Sequence, residues 1–244
     1  MKTPLSHLIL SLSLGAWLAP VQAAEPPAAN MGDAPLKIVE KYNPVFPPRP
    51  LQEGIVRGEA QIIFLVDSTG KLGDYLVTAY THKDFADVAL AAIKTWKFAP
   101  SQIKGKPIGT VVDMRFIFEM NGVVTIDRKP GVILASEQWE TEGRFAFQPC
   151  PARQLDRPLQ MTRVVKPAYP KELGDQGIAG KVLVEFYIDE TGKARLPTAS
   201  RASNEMLAMI AITAVDQWQF EPPTRQGKPV LVCANQEFSF VPEK

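Results

Sequence analysis

Val182, Val184, Phe186 and Ile188 alternate with Leu183, Glu185, Tyr187 and Asp189, and this period of two predicts a strand. Asp189-Glu190-Thr191-Gly192 follows. It predicts a tight turn in which Asp bonds its own backbone and Gly supplies a positive φ. A second strand is expected from about Ala194 to Ser200, where Pro197 points to a sheet edge or a bulge. Leu207, Ile210, Ala211, Ala214, Val215 and Trp218 then share one face of a 3.6-residue period. That predicts a helix, capped at Ser203 or Asn204 and ended before Pro222-Pro223. Val230 to Phe240 reads as a closing strand.

The earlier half follows the same plan. Ala60, Ile62, Phe64 and Val66 alternate, Phe85, Val88, Ala89, Ala92, Ile93 and Trp96 form the helical stripe, and Ile108 to Phe118 closes the unit. Asn121-Gly122, with Val123, Val124 and Ile126 beyond it, signals a hairpin. The first unit is therefore expected to carry a strand that the second lacks. Trp96-Lys97-Phe98-Ala99-Pro100 recurs as Trp218-Gln219-Phe220-Glu221-Pro222, and Asp67 to Lys71 recurs as Asp189 to Lys193. Phe116-x-Phe118 recurs as Phe238-x-Phe240 at the same offset of 122 residues. A rigid offset over this length indicates a duplicated domain rather than chance. Upstream, Pro44-Val45-Phe46-Pro47 matches Pro167-Ala168-Tyr169-Pro170, one residue further apart because Gly54 to Gly58 is longer than Gly177 to Gly180. The expected fold class is α+β: two tandem β-β-α-β modules, each a small antiparallel sheet with one helix on a face. The boundaries expected are a signal segment at 1–23, a short linker at 24–40, a first domain at 41–127, a linker with an extra strand at 128–160 and a second domain at 161–244.

Composition narrows the function. Lys2, the apolar run from Leu8 to Leu18 and Val21-Gln22-Ala23 read as a secretory signal cleaved before Ala24. The alternative is an uncleaved membrane anchor, for which the run is short and interrupted by Pro20. The formal charge of +1 comes without any basic run, which argues against a nucleic-acid partner. Two cysteines, Cys150 and Cys233, admit a disulfide in an exported chain; the other reading is two unpaired thiols, with Cys233 a small core residue. Of the two histidines, His7 lies in the signal and His82 in a polar turn that Asn204 matches in the second copy. His82 reads as a solvated turn residue. Asp67 and Asp189 belong to matching turns. No nucleophile, metal or phosphate motif appears, so no catalytic residue, metal ligand or cofactor is expected.

The second copy resembles the C-terminal domain of TonB-type energy transducers. The resemblance rests on Pro167-Ala168-Tyr169-Pro170, Gly180-Lys181-Val182, Phe186-x-Ile188-Asp189-x-x-Gly192, Trp218-x-Phe220-x-Pro222, Gly227-Lys228-Pro229-Val230 and Phe238-x-Phe240. The first copy looks like a diverged member, with Phe46 in place of Tyr169. The resemblance implies a periplasmic binding domain that captures a segment of an outer-membrane TonB-dependent transporter as an added strand. Carried onto this chain, the partner-binding residues are Tyr169, Pro170, Val230, Val232, Ala234, Gln236 and Phe238. Tyr169-Pro170 also reads as an extended packing segment. Another periplasmic protein or a second copy of the chain are the other partners expected. The sequence departs from a full transducer: Ser6 and His7 are adjacent rather than four apart, and Ala24 to Pro35 is too short to bridge two membranes. An exported binding module is therefore expected over an anchored transducer or a homodimerising structural module.

Overall fold

A computed structural model of the chain describes residues 33–121, 124–130 and 145–242. The expected signal, Gly122-Val123 of the hairpin and Arg144 lie outside them. The first module runs β1 (Lys37–Glu40), α1 (Pro48–Gln52), β2 (Arg57–Val66), β3 (Leu72–Tyr80), α2 (Lys83–Thr95), β4 (Lys97–Ala99), β5 (Ser101–Ile103), β6 (Lys106–Ile108), β7 (Thr110–Glu119) and β8 (Val124–Pro130). The second runs β9 (Met161–Arg163), α3 (Lys171–Asp175), β10 (Gly180–Ile188), β11 (Ala194–Ala202), α4 (Glu205–Val215), β12 (Gln219–Phe220), β13 (Thr224–Arg225), β14 (Lys228–Pro229) and β15 (Val232–Phe240). The main sheets have the orders β3-β2-β7-β8 and β11-β10-β15, antiparallel throughout. The α+β architecture expected from the period-two and 3.6-residue patterns is the one observed.

The duplication holds at the level of strand register. Ala60 faces Phe116 as Val182 faces Phe238, and Ile62 faces Met114 as Val184 faces Gln236. The bulges coincide too, between Gln61 and Ile62 in β2 and between Leu183 and Val184 in β10. The likeness reaches further upstream than the motifs show. Asp33 accepts the Lys104 N–H at 2.7 Å, and Asp156 accepts those of Gln226 and Gly227 at 2.7 and 2.9 Å, each carboxylate closing the matching hairpin turn.

One side of each sheet is covered by its helix. Phe85, Ala89, Ile93 and Trp96 pack on Ile62, Phe64, Phe116 and Phe118; Leu207, Ala211, Val215 and Trp218 pack on Val184, Phe186, Val232 and Phe240. Both tryptophans are core residues that also tie down the lead-in chain. Trp96 Nε1 donates to the Tyr42 carbonyl and Trp218 Nε1 to the Val165 carbonyl, each at 2.8 Å. The helices stop earlier than the stripe suggests, at Thr95 and Val215. The chain must become extended by Lys97 and Gln219, because β4 pairs with β1 and β12 with β9. The closing strand starts at Val232 rather than Val230, since Lys228-Pro229 folds back on Thr224-Arg225.

Pro197 lies on β11, an edge strand of its sheet, beside a register shift and a positive φ of 50° at Leu196. His82 is not a free turn residue: its Nδ1 accepts the Asp84 N–H at 3.2 Å and caps α2. Asn204 does the same for α4, accepting from Met206 at 2.8 Å and Leu207 at 3.3 Å. Loss of that cap has a defined cost. Asn204→Ala is expected to lower the unfolding free energy by about 1 kcal/mol in urea titrations, with Asn204→Ser near wild type.

The other sides of the sheets form a seam between the modules. Ile63, Tyr187, Leu196 and Leu231 are buried together, with Leu65, Leu76, Val111 and Phe147 against them. Arg195 on β11 crosses the seam. Its Nε donates to Asp74 Oδ2 at 2.7 Å, its Nη2 donates to Asp74 Oδ1 and to the Tyr75 carbonyl, and its Nη1 donates to Asp189 Oδ2 at 3.0 Å. The chain between the modules joins in. The Phe147 carbonyl accepts the Tyr80 N–H at 3.0 Å, and the Phe147 ring stacks on that of Tyr80. Phe147 therefore packs between the modules.

Burial alone would raise the Asp189 pKa, but hydrogen bonds from Thr191, Arg195 and the Lys193 backbone outweigh it and hold the carboxyl below its ordinary value. A folded pKa below the unfolded one stabilises above the unfolded value and is lost as pH falls through the folded one. The thermal midpoint is therefore expected to drop as pH falls below about 4. Asp189→Asn should flatten that dependence in a calorimetric pH series.

No disulfide joins Cys150 and Cys233; both are thiols. Side chains alternate along β15. Val232 faces the helix-covered core where Cys150 is buried, so Cys233 faces the seam on the opposite side of the sheet. A bridge needs both Cβ atoms on one side and about 4 Å apart.

Candidate functional site

The two modules differ at one edge. In the first sheet β8 pairs along β7, as the Asn121-Gly122 signal predicts, while in the second sheet β15 is outermost among the described residues. Parity decides which peptide groups β15 offers. The Lys181 carbonyl accepts the Ser203 N–H on the β11 side, so Val182, Val184 and Phe186 turn their peptide groups to β15. Their partners Phe238, Gln236 and Ala234 turn inward in return. Asn235, Glu237 and Ser239 therefore direct theirs outward. The Glu237 carbonyl is met by the side chain of the adjacent Gln236, at 2.8 Å.

Beside this edge lies a groove of about 470 Å³, walled by Met161, Val165 and Tyr169 on the lead-in segment and by Phe238 and Phe240 on β15, with Trp218 beneath. Of the expected binding residues, Tyr169, Gln236 and Phe238 meet in it. Val232 is fully buried against the helix and Ala234 packs on the same core. Val230 precedes β15 and donates to the Pro223 carbonyl at 2.9 Å, and Pro170 is the N-cap of α3, outside the groove. The Tyr169 hydroxyl donates to the Ile178 carbonyl, and its ring lies 6.0 Å from that of Phe240. Tyr169 is thus a wall held in place, in keeping with the packing reading. The sequence did not single out Asn235, Glu237 and Ser239. The period of two was its only signal for them, and that period does not say which parity faces out.

The edge carries weak charge. Glu237 pairs with Lys181 at 2.9 Å, both well exposed. The groups with the largest displacements in titration lie in the seam instead. Burial pushes the Tyr187 hydroxyl well above its ordinary pKa, and the Asp74 carboxylate raises that of Arg195. Among the described residues, no three His, Cys, Asp or Glu side chains converge as metal ligands, and no helix is long and apolar enough to cross a membrane. What the edge offers is main-chain pairing beside apolar side chains.

The family described as the Gram-negative bacterial TonB protein C-terminal matches this chain twice, over residues 42–120 and 165–242. A curated relative, Protein TonB of Vibrio cholerae serotype O1, is 32% identical over 77 residues, covering 31% of this chain and 32% of the relative. The matched segment thus spans about a third of that protein's length. A solution structure of the Pseudomonas aeruginosa TonB C-terminal domain aligns with 35% of this chain and 88% of its own, at 29% identity and a TM-score of 0.32. Proteins of this family are transport-associated energy transducers of the bacterial envelope, and their domains interact with outer-membrane TonB-dependent transporters. Matched twice and over more than half its length, the chain belongs to the TonB C-terminal domain family, in two tandem copies.

Proposed function

We propose that the protein is an exported, periplasmic binding protein whose second module takes an extended segment of an outer-membrane TonB-dependent transporter as an added strand on β15. The observation that carries this reading is the outward parity of Asn235, Glu237 and Ser239 beside the apolar groove. Main-chain bonds to that edge supply affinity, and alternate side chains entering the groove against Phe238 and Tyr169 supply selection. The first module, closed along β7, is the scaffold that holds the second through the Arg195–Asp74 contact. No step of bond-making chemistry is involved.

Glu237→Pro tests the edge directly. Its N–H points away from β10 and its side chain is exposed, so proline there removes an outward donor while leaving the sheet paired. Val232→Pro is the opposite case: it strikes an inward, fully buried position and would break the fold. In calorimetric titrations with a synthetic transporter N-terminal segment, wild type is expected to bind and Glu237→Pro to lose at least about tenfold in affinity, the scale of one charge-free hydrogen bond or more. The thermal midpoints should be similar. Equal binding by both forms would remove strand addition at β15. Export predicts a mature N-terminus at Ala24; sequencing that finds Met1 instead would favour the anchored form.

A further inference from the structure

The same edge exists twice, and in the first module something already lies on it. Register relates β7 to β15 residue for residue: Val112, Met114, Phe116 and Phe118 pair with β2 as Ala234, Gln236, Phe238 and Phe240 pair with β10. On the outer side of β7 runs β8, antiparallel, with Val124 opposite Phe118, Ile126 opposite Phe116, Asp127 opposite Arg115 and Lys129 opposite Asp113. The second module builds its sheet, helix and core with no fourth strand at this position among the described residues. The strand on β7 is therefore an addition to the plan that the two modules share.

We infer that the first module carries a second strand-accepting edge, occupied in cis by the chain's own β8, and that charge pairing addresses β8 to this edge and away from β15. Directly facing residues of opposite charge favour strand pairing, and like charges oppose it. On β7 the register sets Asp127 across from Arg115, which also donates to Glu59, and Lys129 across from Asp113, which also accepts from Gln61. On β15 the equivalent positions are Glu237 and Asn235, so the same strand would set Asp127 against Glu237 and leave Lys129 without an acidic partner. Both edges welcome the Val124-x-Ile126 pattern, opposite Phe118 and Phe116 in one and Phe240 and Phe238 in the other. The discrimination therefore rests on the charged face. The ligand class for the first module is an extended segment with two alternate apolar residues followed by an acid and, two residues on, a base. The short tether also raises the effective concentration of β8 over any free segment.

The test opens the edge and offers the strand back. Thr125, Asp127 and Lys129 face the outward residues of β7, so Thr125→Pro with Asp127→Pro removes the donors that hold β8. The probe is a synthetic peptide of residues 123–130, read by amide NMR shifts on the full-length chain. The double-proline chain is expected to bind one peptide, with shifts at residues 113, 115 and 117, while wild type shows none there. A peptide with lysine in place of Asp127 should bind that edge several-fold more weakly and move its preference toward residues 235, 237 and 239. If the double variant fails to fold, Val124→Asp with Ile126→Asp displaces β8 by charge and takes the same peptide. Absence of peptide binding to an opened, folded first module overturns the inference. So does equal binding of the two peptides, or binding of the native peptide at β15 in preference to β7. Each of these leaves the Glu237→Pro result on transporter segments untouched, so the two readings fail separately.

Discussion

Trp218→Ala is expected to cost about 3–5 kcal/mol of unfolding free energy, the scale of removing a large aromatic from a packed core. The indole is 4% exposed. It meets Phe186 edge-on at a centroid distance of 5.9 Å and lies 5.8 Å from the ring of Phe238. Its Nε1 holds the Val165 carbonyl at 2.8 Å, so the alanine leaves a cavity and an unmet acceptor together. Because Val165 walls the groove, the same change should loosen the lead-in segment and weaken binding at β15 even where the chain still folds. Trp218→Phe keeps most of the ring but not the N–H, and should fall between alanine and wild type. Urea unfolding followed by the remaining tryptophans measures all three. A Trp218→Ala midpoint equal to wild type would mean that the indole is not part of the core. Trp96→Ala should match it in size while acting on the first module through Tyr42.

Gly192→Ala is the second large effect, expected at about 2–5 kcal/mol from left-handed strain and steric overlap together. Gly192 sits at φ 85°, and an added Cβ would lie 2.1 Å from the Phe220 carbonyl oxygen. That oxygen belongs to backbone, and the Phe220 N–H is bonded to the Gly192 carbonyl at 2.8 Å, so neither chain can retreat alone. Gly177 supplies the control. It has φ 65° with nothing within 4 Å of an added Cβ, so Gly177→Ala pays only the backbone term of about 1 kcal/mol. Denaturant midpoints of the two variants separate the steric part from the conformational part. Equal losses would show that the Gly192–Phe220 approach is looser than described. Gly70 repeats the arrangement, its added Cβ falling 2.4 Å from the Phe98 oxygen.

Much of this fold is legible because its determinants are local. The D-x-T-G turns, the helix stripes and the cap at Asn204 each lie within a few residues of what they control, whereas the matching cap at His82 is hidden by a residue type less usual at that position. The fourth strand of the first module follows from Asn121-Gly122 and the apolar residues beyond it. Most of what the sequence hides lies where two distant segments meet. The helix ends depend on β1 and β9 capturing the residues after each helix, and the start of β15 depends on Lys228-Pro229 folding back on Thr224-Arg225. The cysteines illustrate the same limit. Counting them suggests a bridge, but the parity of β15 and the placement of Cys150 put them on opposite sides of a sheet.

The sequence by itself determined that the chain is a duplicated α+β domain of a recognisable family, because period, turn chemistry and a constant offset are properties of contiguous residues. Only the tertiary structure decided which edge stays open, which parity of β15 faces out, and how the second faces of the sheets are used. Leu65, Leu76, Tyr187 and Leu196 read in sequence as ordinary alternating positions. They become a seam only because another module, more than a hundred residues away, brings a complementary apolar face and Arg195 to meet Asp74. Strand alternation specifies two faces and two edges for every sheet. Long-range packing selects which of them are buried and which remain for a partner.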